Sequence, residues 1–298
     1  MSSDPLCAFI GHKLTDHMKG TVDLVMRKFV KEDYHKTVAK RLCLEPEDVK
    51  EILVVAAALH DIGKAARIYQ CRFSHDCEEI TSTIKSKNKC IESFYMHEIL
   101  SSGSAWAYAM KRGWIKNDAL SGRWKTFLLI FSILNHMHSM RDYGDLLDIC
   151  SSAPGRIGCG DKIYREILKE LHIDKNEKML QPAGVELLSQ ELVKYIGEWG
   201  FNIESSREII LASANRDMIS KAIDFVNNFL SGESISFHSR TLEINCGERR
   251  TRRSLWKLYT LIQAPLVVAD ICDSFEKRSK DRENIHRRAF INDLCYSW

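Results

Sequence analysis

Apolar residues recur at three- and four-residue steps along almost the whole chain, and this spacing constrains the fold more than any other feature. In the segment 14–30, for example, one helix face carries Val22, Val25, Met26 and Phe29. Strand-like alternation is confined to 234–237 and 241–244. We therefore expect an all-α protein. The spacing predicts helices over 14–30, 46–59, 94–112, 124–138, 164–172, 185–199, 208–230 and 253–278.

The clearest helix start is at Pro46, which Glu47 and Asp48 follow. Proline is tolerated in the first turn of a helix, and acidic side chains suit the positive end of the helix dipole. The apolar run that follows predicts a helix that continues to about Leu59 and stops near Gly63.

Composition sets wide limits. A chain of 298 residues with 45% hydrophobic content is long enough for a full core, and a net charge of +3 is too small to indicate nucleic-acid binding by itself. Any basic surface must be local. A loop rich in glycine and serine, 151–160, divides the chain near its middle.

The longest apolar run, Ile52 to Leu59, is far shorter than the roughly 20 residues that a membrane span needs, and the first residues lack the pattern of a signal peptide. We expect a cytoplasmic protein without a membrane partner, and therefore reduced cysteines. Cysteines and a histidine lie fairly close together at Cys71, His75, Cys77 and Cys90, but without a C-x-x-C pair a structural zinc there is disfavoured.

Polar residues that can bind a metal occur on or at the ends of several predicted helices. A single histidine on an apolar helix face is more often a hydrogen-bonded core residue than a ligand. Several such helices that each present a histidine or an aspartate favour a shared metal site, because buried carboxylates need partners. The candidate ligands are His17, His60, Asp61, His97, His136, His138 and Asp270.

The order of these residues resembles a known family. A His-Asp-x-Gly-Lys run at 60–64, a His-Glu pair at 97–98, a His-x-His-x-Met run at 136–140 and an apolar run ending in Ala-Asp at 265–270 resemble the HD superfamily of metal-dependent phosphohydrolases. Within it, the chain is similar to the HD nuclease of type I CRISPR interference systems, in the form in which the nuclease is separate from the helicase. The resemblance covers roughly 12–150 and 253–280.

The resemblance implies a fold and a cofactor. It predicts an HD-domain helical bundle with extra C-terminal helices, in which 1–298 is one domain, 1–150 carries most of the ligands and 151–298 contributes Asp270. It also implies two divalent ions, which we expect to be Mn, Mg, Ni, Co or Fe. A first ion would be bound by His17, His60, Asp61 and Asp270, and a second by Asp61, His97 and His136. Two ions about 3.5 to 4 Å apart support in-line hydrolysis of a phosphodiester.

The sequence departs from the family pattern at Met137, where an adjacent histidine is usual. A thioether is a poor ligand for a hard ion. His138 is the substitute, but residues two apart on a regular helix point in different directions, so both His136 and His138 can bind only where the helix ends or distorts. Asp61 and Lys64 are the predicted catalytic residues. Lys64 would stabilise charge on the phosphate, whereas the alternative is a solvated lysine.

Basic residues cluster at Arg249, Arg250, Arg252 and Arg253, just before the helix of Asp270, and a second cluster spans 277–282. Such clusters can follow a phosphate backbone, although most charge runs are solvated faces.

Together these features predict a metal-dependent deoxyribonuclease that hydrolyses single-stranded DNA in CRISPR interference, an antiviral defence. Its partners would be a helicase subunit and an RNA-guided effector complex. The first alternative is an HD phosphohydrolase of nucleotides or cyclic nucleotides, which a closed pocket would favour. The second alternative is a non-catalytic HD interaction module. The intact candidate ligands argue against it, because an interaction module has no need of buried, unpaired ligands.

Overall fold

A computed structural model describes the chain over residues 6–74, 76–80, 90, 94, 96–115, 120–136, 165, 182–198, 206–231, 235–236, 241–246, 249–278 and 295. The described chain is mainly helical, as predicted. The α-helices are α1 (Leu14–Val25), α2 (Tyr34–Leu42), α3 (Pro46–Leu59), α4 (Arg67–Gln70), α5 (His97–Lys111), α6 (Leu120–Leu134), α7 (Pro182–Glu198), α8 (Ser206–Leu211), α9 (Arg216–Ser231) and α10 (Leu255–Arg278).

Helix α3 lies at the centre of the bundle. It begins at Pro46, as predicted, with Glu47 and Asp48 in its first turn. From Ile52 to Leu59 every side chain is buried, because α3 packs against α1, α2, α6 and α10. A helix that is apolar on all sides is stable only inside a core. The C-terminal end of α3 therefore carries His60 into the interior of the protein.

Helix α10 closes the bundle from the other end of the sequence, against α1, α3 and α6. Among the described helices, it is the one long and apolar enough by composition to cross a membrane, over Lys257–Lys277. Half of that segment is buried within the protein, which is typical of a core helix. Two aspartates, Asp270 and Asp273, interrupt its apolar sequence.

The strands form two small antiparallel sheets. The first pairs β1 (Cys7–Phe9) with β2 (His12–Lys13), directly before α1. The second has the order β3 (Ile235–Ser236), β4 (Thr241–Cys246) and β5 (Arg249–Ser254). The two predicted strand segments thus contain β3 and the first four residues of β4. The prediction missed β1, β2 and β5. Strand β5 is a nearly continuous basic run, which lacks the alternation of a half-buried strand.

The predicted helix over 208–230 is wrong in one respect, because the chain is interrupted at Asn215. Helix α8 ends in a 3₁₀ turn, Ala212–Ala214, and Asn215 has an extended backbone. The side-chain oxygen of Asn215 accepts hydrogen bonds from the backbone N–H groups of Asp217 (3.0 Å) and Met218 (3.3 Å). This cap starts α9, since it satisfies donors that lack partners inside the helix.

The other predicted helices agree with the structure within a few residues at the ends that are described. The segment 14–30 begins as α1 and continues as a π-helix, Met26–Val30. Of the segment 164–172, the structure describes residue 165, which is helical; the loop 151–160 lies outside the described residues.

The expectation of reduced cysteines is wrong for the described residues. Disulfides join Cys7 to Cys77, Cys71 to Cys90, and Cys272 to Cys295, with Cα–Cα distances of 5.5, 5.8 and 5.5 Å. Sequence spacing did not reveal these pairs, because the fold brings together residues separated by 19 to 70 positions. Cys71, Cys77 and Cys90 therefore have no thiolate to offer a zinc ion, and His75 lies outside the described residues.

Candidate metal centre

Six of the predicted ligands come together inside the bundle. His17 lies on α1, His60 and Asp61 follow α3, and Asp270 lies on α10. His97 is the first residue of α5, and His136 follows the end of α6 by two residues. The four histidines and Asp61 are buried, while the side chain of Asp270 is 16% exposed. Five helices that are distant in sequence thus contribute to one polar interior.

Four of these side chains form a first cluster, which we call site A: His17, His60, Asp61 and Asp270. Nε2 of His17 lies 3.0 Å from Oδ2 of Asp61 and 3.1 Å from Oδ1 of Asp270. Nε2 of His60 lies 3.5 and 3.8 Å from the same two oxygens. The four ligand atoms lie within 4.8 Å of one another, close enough to bind one ion.

Asp61 also belongs to a second cluster, which we call site B: Asp61, His97 and His136. Here its other oxygen, Oδ1, lies 2.8 Å from Nε2 of His97 and 3.6 Å from Nε2 of His136. The two Nε2 atoms are 3.1 Å apart. Asp61 therefore presents one oxygen to each cluster, the arrangement expected of a ligand that bridges two ions.

The hydrogen bonds of the ring Nδ1 atoms orient these histidines. Nδ1 of His60 donates to the carbonyl of Ala57 (2.9 Å), and Nδ1 of His136 to that of Ile133 (2.6 Å). Nδ1 of His97 bonds in the same way to the carbonyl three residues earlier. A carbonyl can only accept, so Nδ1 carries the hydrogen and Nε2 of the neutral ring is left as an acceptor.

The result is a buried group of acceptors that face one another. Nε2 of His17, Nε2 of His60 and Oδ1 of Asp61 have no hydrogen-bond partner of suitable geometry, and Oδ2 of Asp61 faces the ammonium group of Lys64. Buried acceptors without donors are costly, and a cation between them removes the cost. Mixed imidazole and carboxylate ligands suit divalent transition-metal ions. The residues therefore fit two divalent ions, one in each site.

The pKa shifts of Asp61 and His17 also indicate that positive charge is favourable in site A. Burial raises the pKa of Asp61, but the neighbouring side chains of His60, Lys64, His136 and His17 outweigh burial and hold the pKa well below its usual value. Burial lowers the pKa of His17, but the neighbouring carboxylates of Asp270, Asp273 and Asp61 raise it well above its usual value. Without metal, a proton on His17 supplies part of the charge that an ion would supply.

The chain turns sharply between the two sites. Asp61 leaves the helical conformation with φ −107° and ψ 3°, and a 3₁₀ turn, Ile62–Ala65, follows. A Cβ atom on Gly63 would lie 2.0 Å from the carbonyl oxygen of His97, so glycine permits this turn to pack on the start of α5. The backbone N–H of Gly63 also donates to Oγ of Ser101 at 2.9 Å. These contacts bring His97 within reach of Asp61.

Lys64 lies in this 3₁₀ turn rather than on a continuation of α3. Its Nζ is 2.6 Å from Oδ2 of Asp61 and 5.0 Å from the centre of the Phe94 ring. The side chain is 12% exposed. Lys64 therefore lies beside the site on a partly accessible side, although through a different backbone geometry from an extended helix.

Two groups of predicted residues are not placed at the site. His138 lies outside the described residues, as does Met137. The basic cluster lies in β5, where the register pairs Arg249 with Cys246, Arg250 with Asn245, Arg252 with Glu243 and Arg253 with Leu242. Strand β5 leads directly into α10, so the cluster precedes the helix that carries Asp270, as predicted from the sequence.

Sequence reasoning missed two residues beside site A. Asp273 accepts a hydrogen bond from Nδ1 of His17 at 2.7 Å, and Nε2 of His12 lies 3.4 Å from the same oxygen. The signal for Asp273 was its spacing, since a second aspartate three residues after Asp270 lies on the same face of an apolar helix. His12 left no such signal, because it belongs to a short strand.

Helices that end around a His-Asp dyad, with further histidines and a distant aspartate, define an HD-type domain. Comparison with known proteins narrows this class. Residues 5–140 match the family model described as "Cas3, HD domain". Over this range the chain is similar to the Cas3 HD domain, which confirms the resemblance seen in the sequence. Asp270 and Asp273 lie beyond the matched range and complete the site from the C-terminal part.

Two curated relatives are named "CRISPR-associated endonuclease Cas3-HD". The protein of Saccharolobus solfataricus is 30% identical over 146 residues, which are 47% of this chain and 55% of the relative. The protein of Methanocaldococcus jannaschii is 32% identical over 98 residues, which are 31% of this chain and 38% of the relative. The chain thus matches about half or less of each relative's length. No solved structure matches it significantly.

Proposed function

We propose that this protein is a metal-dependent nuclease that hydrolyses phosphodiester bonds of single-stranded DNA during CRISPR interference. A helicase subunit and an RNA-guided effector complex would supply the strand. The proposal is supported by the match to the Cas3 HD domain and by relatives named as endonucleases. We also propose that the protein acts in the cytoplasm.

The observation that carries the proposal is the shared carboxylate of Asp61, whose two oxygens face two separate groups of acceptors. In the proposed enzyme, site A and site B each bind one divalent ion. What two such ions supply when bound is Lewis acidity toward the phosphate and a lowered pKa for the attacking water. A binding module would gain nothing from burying these acceptors without donors.

The protein's own residues then have distinct roles. Asp61 holds the two sites at a fixed separation, because each of its oxygens belongs to one site. Lys64 places an ammonium group next to Asp61, where it can donate to a nonbridging phosphate oxygen and stabilise charge in the transition state. Its partial exposure allows a substrate phosphate to approach it from solvent.

Single-stranded DNA is the substrate that a recessed site favours. The ligands are buried, so a phosphate must reach inward between helix ends, and a single strand bends into such a site more readily than a stiff duplex. Arg249, Arg250, Arg252 and Arg253 are proposed to bind the phosphate backbone along β5.

The test is digestion of labelled single- and double-stranded DNA with Mn²⁺ by the native protein and by Asp61→Ala. The native protein should cut single strands and lose this activity with a chelator, and Asp61→Ala should be inactive while folded by circular dichroism. Lys257→Ala, an exposed position on α10, serves as the matched control that keeps activity. Undiminished cleavage by Asp61→Ala would refute the mechanism. Turnover of a nucleotide or cyclic nucleotide without DNA cleavage would favour the phosphohydrolase alternative.

A further inference from the structure

Asp273 lies behind site A, on the opposite side of His17 from the candidate ion. Its side chain is 3% exposed, and its Oδ2 accepts a 2.7 Å hydrogen bond from Nδ1 of His17. Nε2 of the same ring faces Asp61 and Asp270. One imidazole thus connects a buried carboxylate outside the site to the ligand atom inside it.

This connection distinguishes His17 from the other site histidines. Nδ1 of His60, of His97 and of His136 is hydrogen-bonded to a neutral backbone carbonyl. The carboxylate of Glu98 is also near His97, but at 3.5 Å from Nδ1 it is farther away than the carbonyl of Phe94. A carboxylate acceptor fixes the ring tautomer as a carbonyl does, and it also makes the imidazole a more basic metal ligand.

Gly20 on helix α1 provides the space for the side chain of Asp273. Gly20 lies inside α1, where glycine is a poor helix former. A Cβ atom at this position would lie 1.8 Å from Oδ1 of Asp273 and 2.6 Å from its Cγ. The absence of a side chain on α1 is therefore what lets the carboxylate from α10 reach His17.

His12 approaches Asp273 from the other side. It is buried at the start of β2, and its Nε2 lies 3.4 Å from Oδ2 of Asp273. The ring of His12 also packs on Phe9, with centroids 4.7 Å apart. Strand β2, helix α1 and helix α10 thus each contribute one member to a His12, Asp273 and His17 chain.

We propose that Asp273 is a positioning residue for site A: it fixes the tautomer and orientation of His17 and strengthens His17 as a metal ligand, with Gly20 providing its space and His12 supporting it. The inference rests on the metal-dependent function proposed above. Loss of such a partner typically lowers metal affinity by about 10- to 100-fold. The effect belongs to site A and leaves site B unchanged.

The test separates the two sites with Co²⁺ as the probe. In full-length protein, His97→Ala removes a ligand of site B, and His60→Ala removes a ligand of site A. Asp273→Asn, nearly isosteric, is then combined with each, and Co²⁺ binding is followed by calorimetry and by the visible absorption of the ion. We expect about 10- to 100-fold weaker binding and an altered spectrum in the His97→Ala background, and unchanged binding in the His60→Ala background.

Gly20→Ala gives a second route, because it keeps the carboxylate but displaces it. It should weaken the same site. Glu276→Gln is the matched control, since it removes one carboxylate charge at an exposed position of the same helix. Unchanged site A affinity in both Asp273→Asn and Gly20→Ala, or equal losses at both sites, would overturn the inference. If the native protein bound no Co²⁺, this inference and the proposed function would both fail, a result distinct from a native protein that binds two ions regardless of Asp273.

Discussion

Site A and site B share Asp61 but are built differently. Site A has four ligands from α1, α10 and the end of α3, two of them carboxylates, and a third carboxylate lies behind His17. Site B has three described ligands, with Asp61 as the carboxylate, and its histidines lie at the ends of α5 and α6. Metal sites with fewer protein ligands leave positions for water or substrate. In the proposed enzyme, we expect site A to anchor an ion and site B to hold one more openly.

The largest expected effect comes from the shared ligand. Asp61→Asn should remove binding at both sites, whereas Asp270→Asn should affect site A and leave site B in place. Because two ions contribute several kcal/mol of transition-state stabilisation, Asp61→Asn should lower the cleavage rate by about 10³-fold or more. Equilibrium dialysis with Mn²⁺ checks the stoichiometry. Equal losses in the two variants would show that the clusters are not separate sites.

The next effect concerns the covalent link beside site A. Cys272 lies between Asp270 and Asp273 on α10, and its disulfide to Cys295 closes a loop of 23 residues. Replacing both cysteines by serine should lower the free energy of unfolding by about 3 kcal/mol, mainly through the entropy of the unfolded chain. Urea denaturation of the metal-free protein measures it. Under reducing conditions the native protein should match the variant, and a persistent difference would point to packing instead.

A smaller effect distinguishes catalysis from metal binding. Lys64→Met removes an ammonium group that lies 2.6 Å from Oδ2 of Asp61, an oxygen that faces site A. We expect cleavage to fall about 10- to 100-fold, the value of one charge-assisted hydrogen bond. Metal affinity at site A should stay the same or rise, because a competing cation is gone. A parallel loss of metal binding would make Lys64 structural rather than catalytic.

The smallest expected effect is a dependence on pH. Since the folded pKa of His17 is raised, its protonation stabilises the metal-free protein below about pH 6.5, and this contribution is lost as the pH rises through the folded pKa. Asp61 and Asp270 act in the opposite sense. Their lowered pKa values stabilise the fold above about pH 4 and lose this effect as the pH falls through the folded values.

A metal ion that replaces the proton on His17 should remove the loss of stability at high pH. Metal binding releases protons, so it becomes more favourable as the pH rises. As the pH is raised from about 6 to about 9, the melting temperature should fall when a chelator is present. It should stay constant or rise when Mn²⁺ is present. His17→Gln should flatten the chelator curve. An unchanged curve in that variant would assign the proton to another group.

Much of site A and site B was predictable because their ligands follow the sequence pattern of a known family. His60 and Asp61 were identified from their place at the end of an apolar run, and Asp270 from its position within another. Asp273 was not identified, because a second aspartate on a helix reads equally well as a solvated charge. Its role depends on the approach of α10 to Gly20, which no local pattern records.

The secondary structure also divides into elements that the sequence predicted and elements that it did not. Helix α3 was predicted nearly to the residue from its start at Pro46 and the apolar run that follows, whereas the interruption at Asn215 and the strand β5 were not predicted. In a helical sequence pattern, an asparagine that caps a new helix looks the same as a surface asparagine inside one long helix. A run of basic residues shows no alternation of apolar and polar residues, so the sequence does not reveal the period of a strand.

By itself, the sequence determined the helical class, most of the candidate ligands and the resemblance to a family, because these depend on residue type and on spacing along the chain. The tertiary structure decided which oxygen of Asp61 faces which cluster, which histidine has a carboxylate behind it, and which cysteines pair. Those outcomes depend on distances between helices far apart in sequence. Such distances are set by how the whole core packs around α3, and not by any one segment.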